Sequence, residues 1–248
     1  YELKDSDAFN WQSAVIYRMD RDTTWHASVS DRTRLPTIFE RFSSRFGGAT
    51  SNPDLKAERG TNYEIGVSTA LGSNGRVSGA IFYSDVTDVI QSVPIIYNGQ
   101  RVNQSQNVGS GEYYGIEGSI DYAFSSSLAV GGNITLMQRD IENPNVPNFE
   151  LTGVPTVKGI AYLTYRVTDD LSVTPSIEFA SDRWTSKPGN IYYETGAFAL
   201  VNVQGEYSFT PETSLLLTAR NLFDEDYTLT DGYPEAGRSF QATMRAKF

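Results

Sequence analysis

The 248 residues contain no cysteine, which excludes a disulfide framework and thiolate chemistry. There is one histidine, His26, and there are only three methionines. No apolar run approaches the ~18 residues that a membrane-crossing helix needs, and mean hydropathy is −0.36. Nor does any stretch of useful length carry a helical period. Cations are scarce beside anions, 20 against 30 for a net charge of −10, which argues against nucleic acid as a partner. The chain starts at Tyr1 with neither methionine nor signal peptide, so processing or truncation is expected. What the chain does have is 21 Gly, 15 Tyr and 13 Phe, with 39% hydrophobic and 20% charged residues. That composition is of a folded chain, long enough for one large β domain or two ordinary ones.

Its pattern has period two. In the last twelve residues Phe240, Ala242, Met244, Ala246 and Phe248 alternate with Ser239, Gln241, Thr243, Arg245 and Lys247, a strand with one apolar and one polar face. The same alternation recurs in ten earlier segments. Tyr63, Ile65 and Val67 sit opposite Asn62, Glu64 and Ser68; Leu171, Val173, Ile177 and Phe179 oppose Ser172, Thr174, Ser176 and Glu178; Val201, Val203 and Tyr207 oppose Asn202, Gln204 and Glu206. Eleven strands are therefore expected.

The connections between them alternate in length. Short ones fall at Asp20–Asp22, Gly72–Gly75, Ser125–Ser127, Asp169–Asp170 and Pro211–Thr213. Long ones fall at Thr33–Arg59, Ile90–Asn107, Ile141–Pro155, Trp184–Thr195 and Asp224–Ala236. A soluble sandwich has no reason to keep its long loops at one end, whereas an outer-membrane barrel has short periplasmic turns and long extracellular loops and averages polar. The expected fold is all-β, an antiparallel transmembrane β-barrel. Tyr17, Tyr83, Tyr122, Phe124, Tyr207 and Phe209 would form interfacial girdles. Phe248 would stand at the periplasmic rim as an assembly signal. Single-chain bacterial barrels have even strand numbers, so either a strand lies within Tyr1–Phe9 or the eleven belong to a larger barrel.

Four segments carry a family resemblance: "RTRLPTIFERF" (32–42), "NPDLKAERGTNYEIGV" (52–67), "QNVGSGEYYGIEGSIDY" (106–122), and "NLFDEDY" (221–227) with "GYPEAGRSF" (232–240). In this order they resemble the C-terminal half of TonB-dependent outer-membrane receptors of the siderophore-receptor type. Ala57 and Ala236 stand where that family usually shows proline. The resemblance implies a 22-stranded barrel with an N-terminal plug, a size that does enclose a plugged lumen. Residues 1–248 would be its C-terminal portion, strands twelve to twenty-two, with the plug and first strands absent. It also implies residence in the bacterial outer membrane, active transport of a scarce ligand such as a ferric siderophore, and energy from TonB through the missing plug region. Outer-membrane lipid and lipopolysaccharide, and the barrel-assembly machinery at the C-terminal strand, would be further partners. No cofactor and no enzymatic activity are expected. The competing readings are a plug-less porin or adhesin barrel and an outer-membrane hydrolase.

Candidate residues follow from side-chain chemistry. His26 falls on the polar face; it has no identifiable nucleophile for a triad, so it reads as a lumen-lining group. Asp224, Glu225, Asp226, Asp231 and Glu235 crowd the last long loop without the spacing of a Ca²⁺ motif, and a solvated acidic loop is the plainer reading. Gly109, Gly111 and Gly115 lack the βα unit of a dinucleotide site. Arg32, Arg34, Arg41 and Arg45, with Phe42 and Phe46, surround the longest loop, and arginine suits planar anionic groups. The ligand-binding candidates are Arg41, Arg45, Phe46, Tyr97, Arg101, Trp184, Tyr192, Tyr193 and Tyr233.

Overall fold

The computed structural model describes residues 8–143, 146, 148–187, 191–230 and 232–247, with backbone alone at 45, 187 and 230. Eleven antiparallel strands pair in sequence order into one sheet. They are β1 (Trp11–Arg18), β2 (Thr23–Arg34), β3 (Glu58–Ala70), β4 (Gly75–Thr87), β5 (Ser110–Ala123) and β6 (Leu128–Ile141). β7 (Val157–Arg166), β8 (Leu171–Ala180), β9 (Phe198–Thr210), β10 (Thr213–Arg220) and β11 (Ser239–Ala246) complete it. The expected strand count and the alternation of five short with five long connections both hold. β1 and β11 each pair on one side only, so the sheet is open among the described residues. Phe248 lies outside them.

Register makes the two faces continuous across all eleven strands, because residues directly opposite in an antiparallel pair share a face. Tyr63, Tyr83 and Tyr114 form one row on the apolar face near the long-loop end. Toward the short-turn end Tyr122, Val130 and Leu163 form another. Tyr63 and Tyr83 are 6.2 Å apart ring to ring, Tyr122 and Phe124 4.9 Å, and Tyr207 and Phe209 5.0 Å. Tyr114 and Tyr122 are eight residues apart on one strand, about 26 Å of chain, and a strand tilt of ~40° turns that into roughly 20 Å of depth. Between the two belts the face carries Ile65, Ile81, Ile116, Ile120 and Leu217, all exposed. An apolar band bounded by aromatics is the surface that a barrel offers to lipid.

The opposite face bears Glu64, Glu117, Asn133, Glu178, Asn202 and Gln204. His26 is on it too, with Nε2 2.8 Å from Glu64 Oε1. The imidazole lies where a Cβ on Gly66 would be, 2.3 Å from its Cε1, so the glycine opposite is what lets the ring lie flat on the sheet. Ile160, Phe198 and Leu200 depart from the polar pattern.

The long connections are more ordered than expected. The stretch read as a loop at 90–107 is a hairpin, Ile90–Tyr97 with Gln100–Asn107, and Ala49–Thr50 adds to it as a parallel strand. A second hairpin pairs Arg183–Lys187 with Ile191–Thr195, and Thr228–Thr230 pairs with Tyr233–Pro234. One short helix, α1 (Ile38–Phe42), starts at a capping box in which Thr37 and Glu40 satisfy each other's backbone N–H groups.

Hydrogen bonds tie three of the long connections together, and each carries buried apolar residues. Leu55 is 2% exposed and Val89, Val93, Val102, Val108, Ile141 and Val146 are buried. Asn107 ties two of them, accepting from Lys56 N and donating to the carbonyls of Lys56 and Asp88. Asn143 reaches Gln91 at 2.7 Å from the third.

Candidate functional site

The polar face forms a pocket of about 640 Å³ beside the last long connection. Glu178 comes from β8, Asn202 and Gln204 from β9, Arg220 from β10, and Tyr227 and Glu235 from the connection itself. Alternation along β8, β9 and β10 sends these side chains to one side.

The connection is fastened to the wall by its own sequence. Asn221 takes a left-handed conformation, φ 50°, which asparagine tolerates better than most residues. Its carboxamide closes the turn on both backbone groups of Glu225, at 2.8 Å each, while Asn202 Oδ1 accepts from Asn221 N at 2.9 Å. Asp224, also at positive φ, accepts from Arg238 N at 2.7 Å. The "NLFDEDY" and "GRSF" segments are thus one fastening. Asp231 lies outside the described residues, among which no group of three or more His, Asp or Glu is arranged to hold a metal ion.

Tyr227, which lines the pocket, packs on Phe198 at 4.6 Å ring to ring, and the Arg183 guanidinium lies over the Phe198 ring at 5.4 Å. Ala180 and Leu200 complete this buried cluster. It accounts for the apolar residues of β9 on the polar face. Burial, with Glu235 and Glu178 nearby, pushes the Tyr227 phenol above its usual pKa. Arg183 is 6% exposed, and its Nε and Nη2 have no hydrogen-bond partner. Burial pushes its guanidinium below its usual pKa. A buried cation without an anion costs several kcal/mol, and each such group calls for an explanation.

The residues singled out from sequence are distributed over separate hairpins. Arg41 is half-buried and donates to the Leu55 carbonyl at 3.1 Å, so part of its fork holds the loop together. Arg45 stands in a 3₁₀ turn, Arg45–Gly47, in which Phe46 is fully exposed at φ 54°. Tyr97 and Arg101 flank the Asn98–Gly99 tip of the 90–107 hairpin and point to solvent. Trp184 and Tyr192 share one face of the 183–195 hairpin and Tyr193 takes the other; Tyr192 packs edge-on against Phe149 at 5.9 Å. Tyr233 is exposed on its short strand. Sequence reasoning missed Arg183, Phe198, Asn221 and Tyr227, and in Arg183 nothing in the pattern signals burial.

Comparison with known proteins fits this architecture. Residues 1–222 match the model of the family described as TonB dependent receptor-like, beta-barrel. The chain is 23% identical over 242 residues to the iron-regulated outer membrane virulence protein of Vibrio cholerae, covering 91% of this chain and 37% of that one. It is 24% identical over 262 residues to the vitamin B12 transporter BtuB of Photobacterium profundum, covering 98% and 39%. Among solved structures, the copper transporter OprC superposes with a TM-score of 0.80 at 20% identity, over 96% of this chain and 39% of that one. The ferric enterobactin receptor PfeA of Pseudomonas aeruginosa gives 0.74 at 19%, over 96% and 40%. The chain spans about two fifths of the length of these relatives.

Proposed function

Since this chain belongs to the TonB-dependent receptor β-barrel family, we propose that it is the C-terminal portion of the wall of an outer-membrane importer, energised through TonB, whose cargo is a ferric siderophore. Its apolar face is the surface turned to the lipid of the bacterial outer membrane, and its polar face lines the lumen. The open edges of β1 and β11 support a larger closed barrel, because unpaired strand edges do not persist in lipid. The wall has no catalytic constellation in this reading, and its relatives are transporters and receptors. A porin or adhesin role finds no support among them.

The observation that carries the choice of an anionic cargo is Arg183, a buried guanidinium lying over the Phe198 ring whose Nε and Nη2 have no hydrogen-bond partner. Guanidinium matches carboxylate and catecholate oxygens geometrically. The test is uptake of radiolabelled ferric siderophores by cells expressing the full-length receptor, with and without TonB. TonB-dependent uptake of at least one ferric siderophore is expected. Uptake that survives loss of TonB, or import confined to uncharged cargo, would overturn the reading.

A further inference from the structure

We propose that a second cleft, separate from the lumen pocket and set between α1 and the 90–107 hairpin, binds a neutral sugar. The cleft has a volume of about 380 Å³, at the small end of the 300–1,000 Å³ usual for ligand sites and suited to one or two sugar rings. Its floor is one face of the hairpin: Ser92 pairs with Ser105, and Asn103 follows two residues along on the same face. Phe39 and Ser43 on the helical side form the wall.

The chemistry of the lining selects the ligand. Among the described residues the side chains of Ser43, Ser92, Asn103 and Ser105 make no hydrogen bond within the protein. Three hydroxyls and a carboxamide each offer both donor and acceptor capacity, which a polyol needs because each of its own hydroxyls does the same. Phe39 is 58% exposed and gives an apolar surface on which the C–H face of a pyranose can lie, as aromatic side chains serve wherever one side of a ligand is apolar. Among the described residues the one charged lining group is Glu40. Its carboxylate is taken up by Thr37 N and Oγ1 and by the Arg34 guanidinium, so no charge is free to recruit an ion. Arg101, next along the same hairpin face, does not line the cleft. Anionic cargo would find no cation among the described lining residues, and an apolar segment would strand the polar floor.

Free sugars and the sugars of surface polysaccharide share this chemistry, and the test separates them. The full-length receptor is placed in lipid nanodiscs free of glycoside detergents. Saturation-transfer NMR is then recorded with methyl hexosides, with methyl glucuronoside as the charged control, and with delipidated outer-membrane polysaccharide. Signal from a neutral hexoside assigns the site to free sugar; signal from the polysaccharide alone assigns it to the cell surface; either supports the proposal. Phe39→Ala and Asn103→Leu alter exposed side chains and should each weaken that binding about tenfold, the loss of roughly one hydrogen bond or its equivalent. No signal from any neutral probe, preference for glucuronoside, or unchanged binding in both variants would overturn it.

Discussion

Tyr162 donates its hydroxyl to Asp121 at 2.6 Å, although strand β6 runs between the two. Register sets Asp121, Gly131 and Tyr162 in one row across β5, β6 and β7, so the side chain crosses two strand spacings, roughly 10 Å. It passes over Gly131, where a Cβ would lie 2.3 Å from the hydroxyl. Tyr162→Phe should cost about 1 kcal/mol and Gly131→Ala at least as much, because the alanine displaces the ring and breaks the same hydrogen bond. In a double-mutant cycle by urea unfolding in vesicles, Tyr162→Phe should cost little once Gly131 is alanine. Additive losses would mean that the glycine does not open the path.

The two faces make opposite demands. Val203 lies on the apolar face, in a row with Pro175 and Ala219, and Gln204 on the polar face with Thr174 and Thr218. Val203→Arg should cost roughly 2–4 kcal/mol in lipid and Gln204→Arg far less. Equal costs would contradict the register.

Topology can be read by labelling, since the chain brings no cysteine of its own. An impermeant maleimide added to intact cells should reach single cysteines at Gln100 and Ser186. Those at Ser73 and Ser126 should react only after the outer membrane is opened. Labelling of the second pair in sealed cells would invert the sidedness.

An orphan cation and a partnered one respond differently to removal. If Arg183 awaits cargo, Arg183→Met should leave the empty receptor as stable as before or raise its melting temperature, by about 2–4 °C per kcal/mol gained. The same variant should lose the stabilisation given by ferric siderophore. A fall in the melting temperature of the empty receptor would instead reveal a carboxylate partner elsewhere in the protein.

Glu194 gives a pH signature. Partial loss of hydration, then the neighbouring Asp182 carboxylate, raises the pKa of this exposed side chain above the usual 4.5. A raised carboxyl pKa favours the protonated form in the fold, so stability is lost as pH rises through the carboxylate range. Glu194→Gln should match the wild type at acid pH and exceed it at neutral pH in thermal melts. A constant difference at all pH values would exclude the effect.

The wall was legible because a sheet with one apolar and one polar face writes period two into every strand, and because turns and loops differ in length. Phe198 and Leu200 show where that code lapses: they face the lumen side, yet pack with Tyr227 from a distant connection. The 90–107 hairpin was hidden for another reason. Its second strand, Gln100–Asn107, is polar apart from Val102 and reads as a loop by composition. The Asn98–Gly99 pair, with both residues at positive φ, is a hairpin-turn signal that the loop reading passed over. Arg183 had no signal at all, since burial of a loop arginine depends on which hairpin folds over it.

The hydrogen bonds that tie three long connections together bear on how such a surface can change over time. Loops exposed to antibodies and phages ordinarily diversify one at a time, each free of its neighbours. Here replacing Asn107 unties two connections at once, and replacing Gln91 removes the hydrogen bond that Asn143 brings from the third. Change in these connections should therefore proceed by exchange of whole blocks, with residues 49–56, 88–109 and 141–146 inherited together and single-loop chimaeras folding poorly.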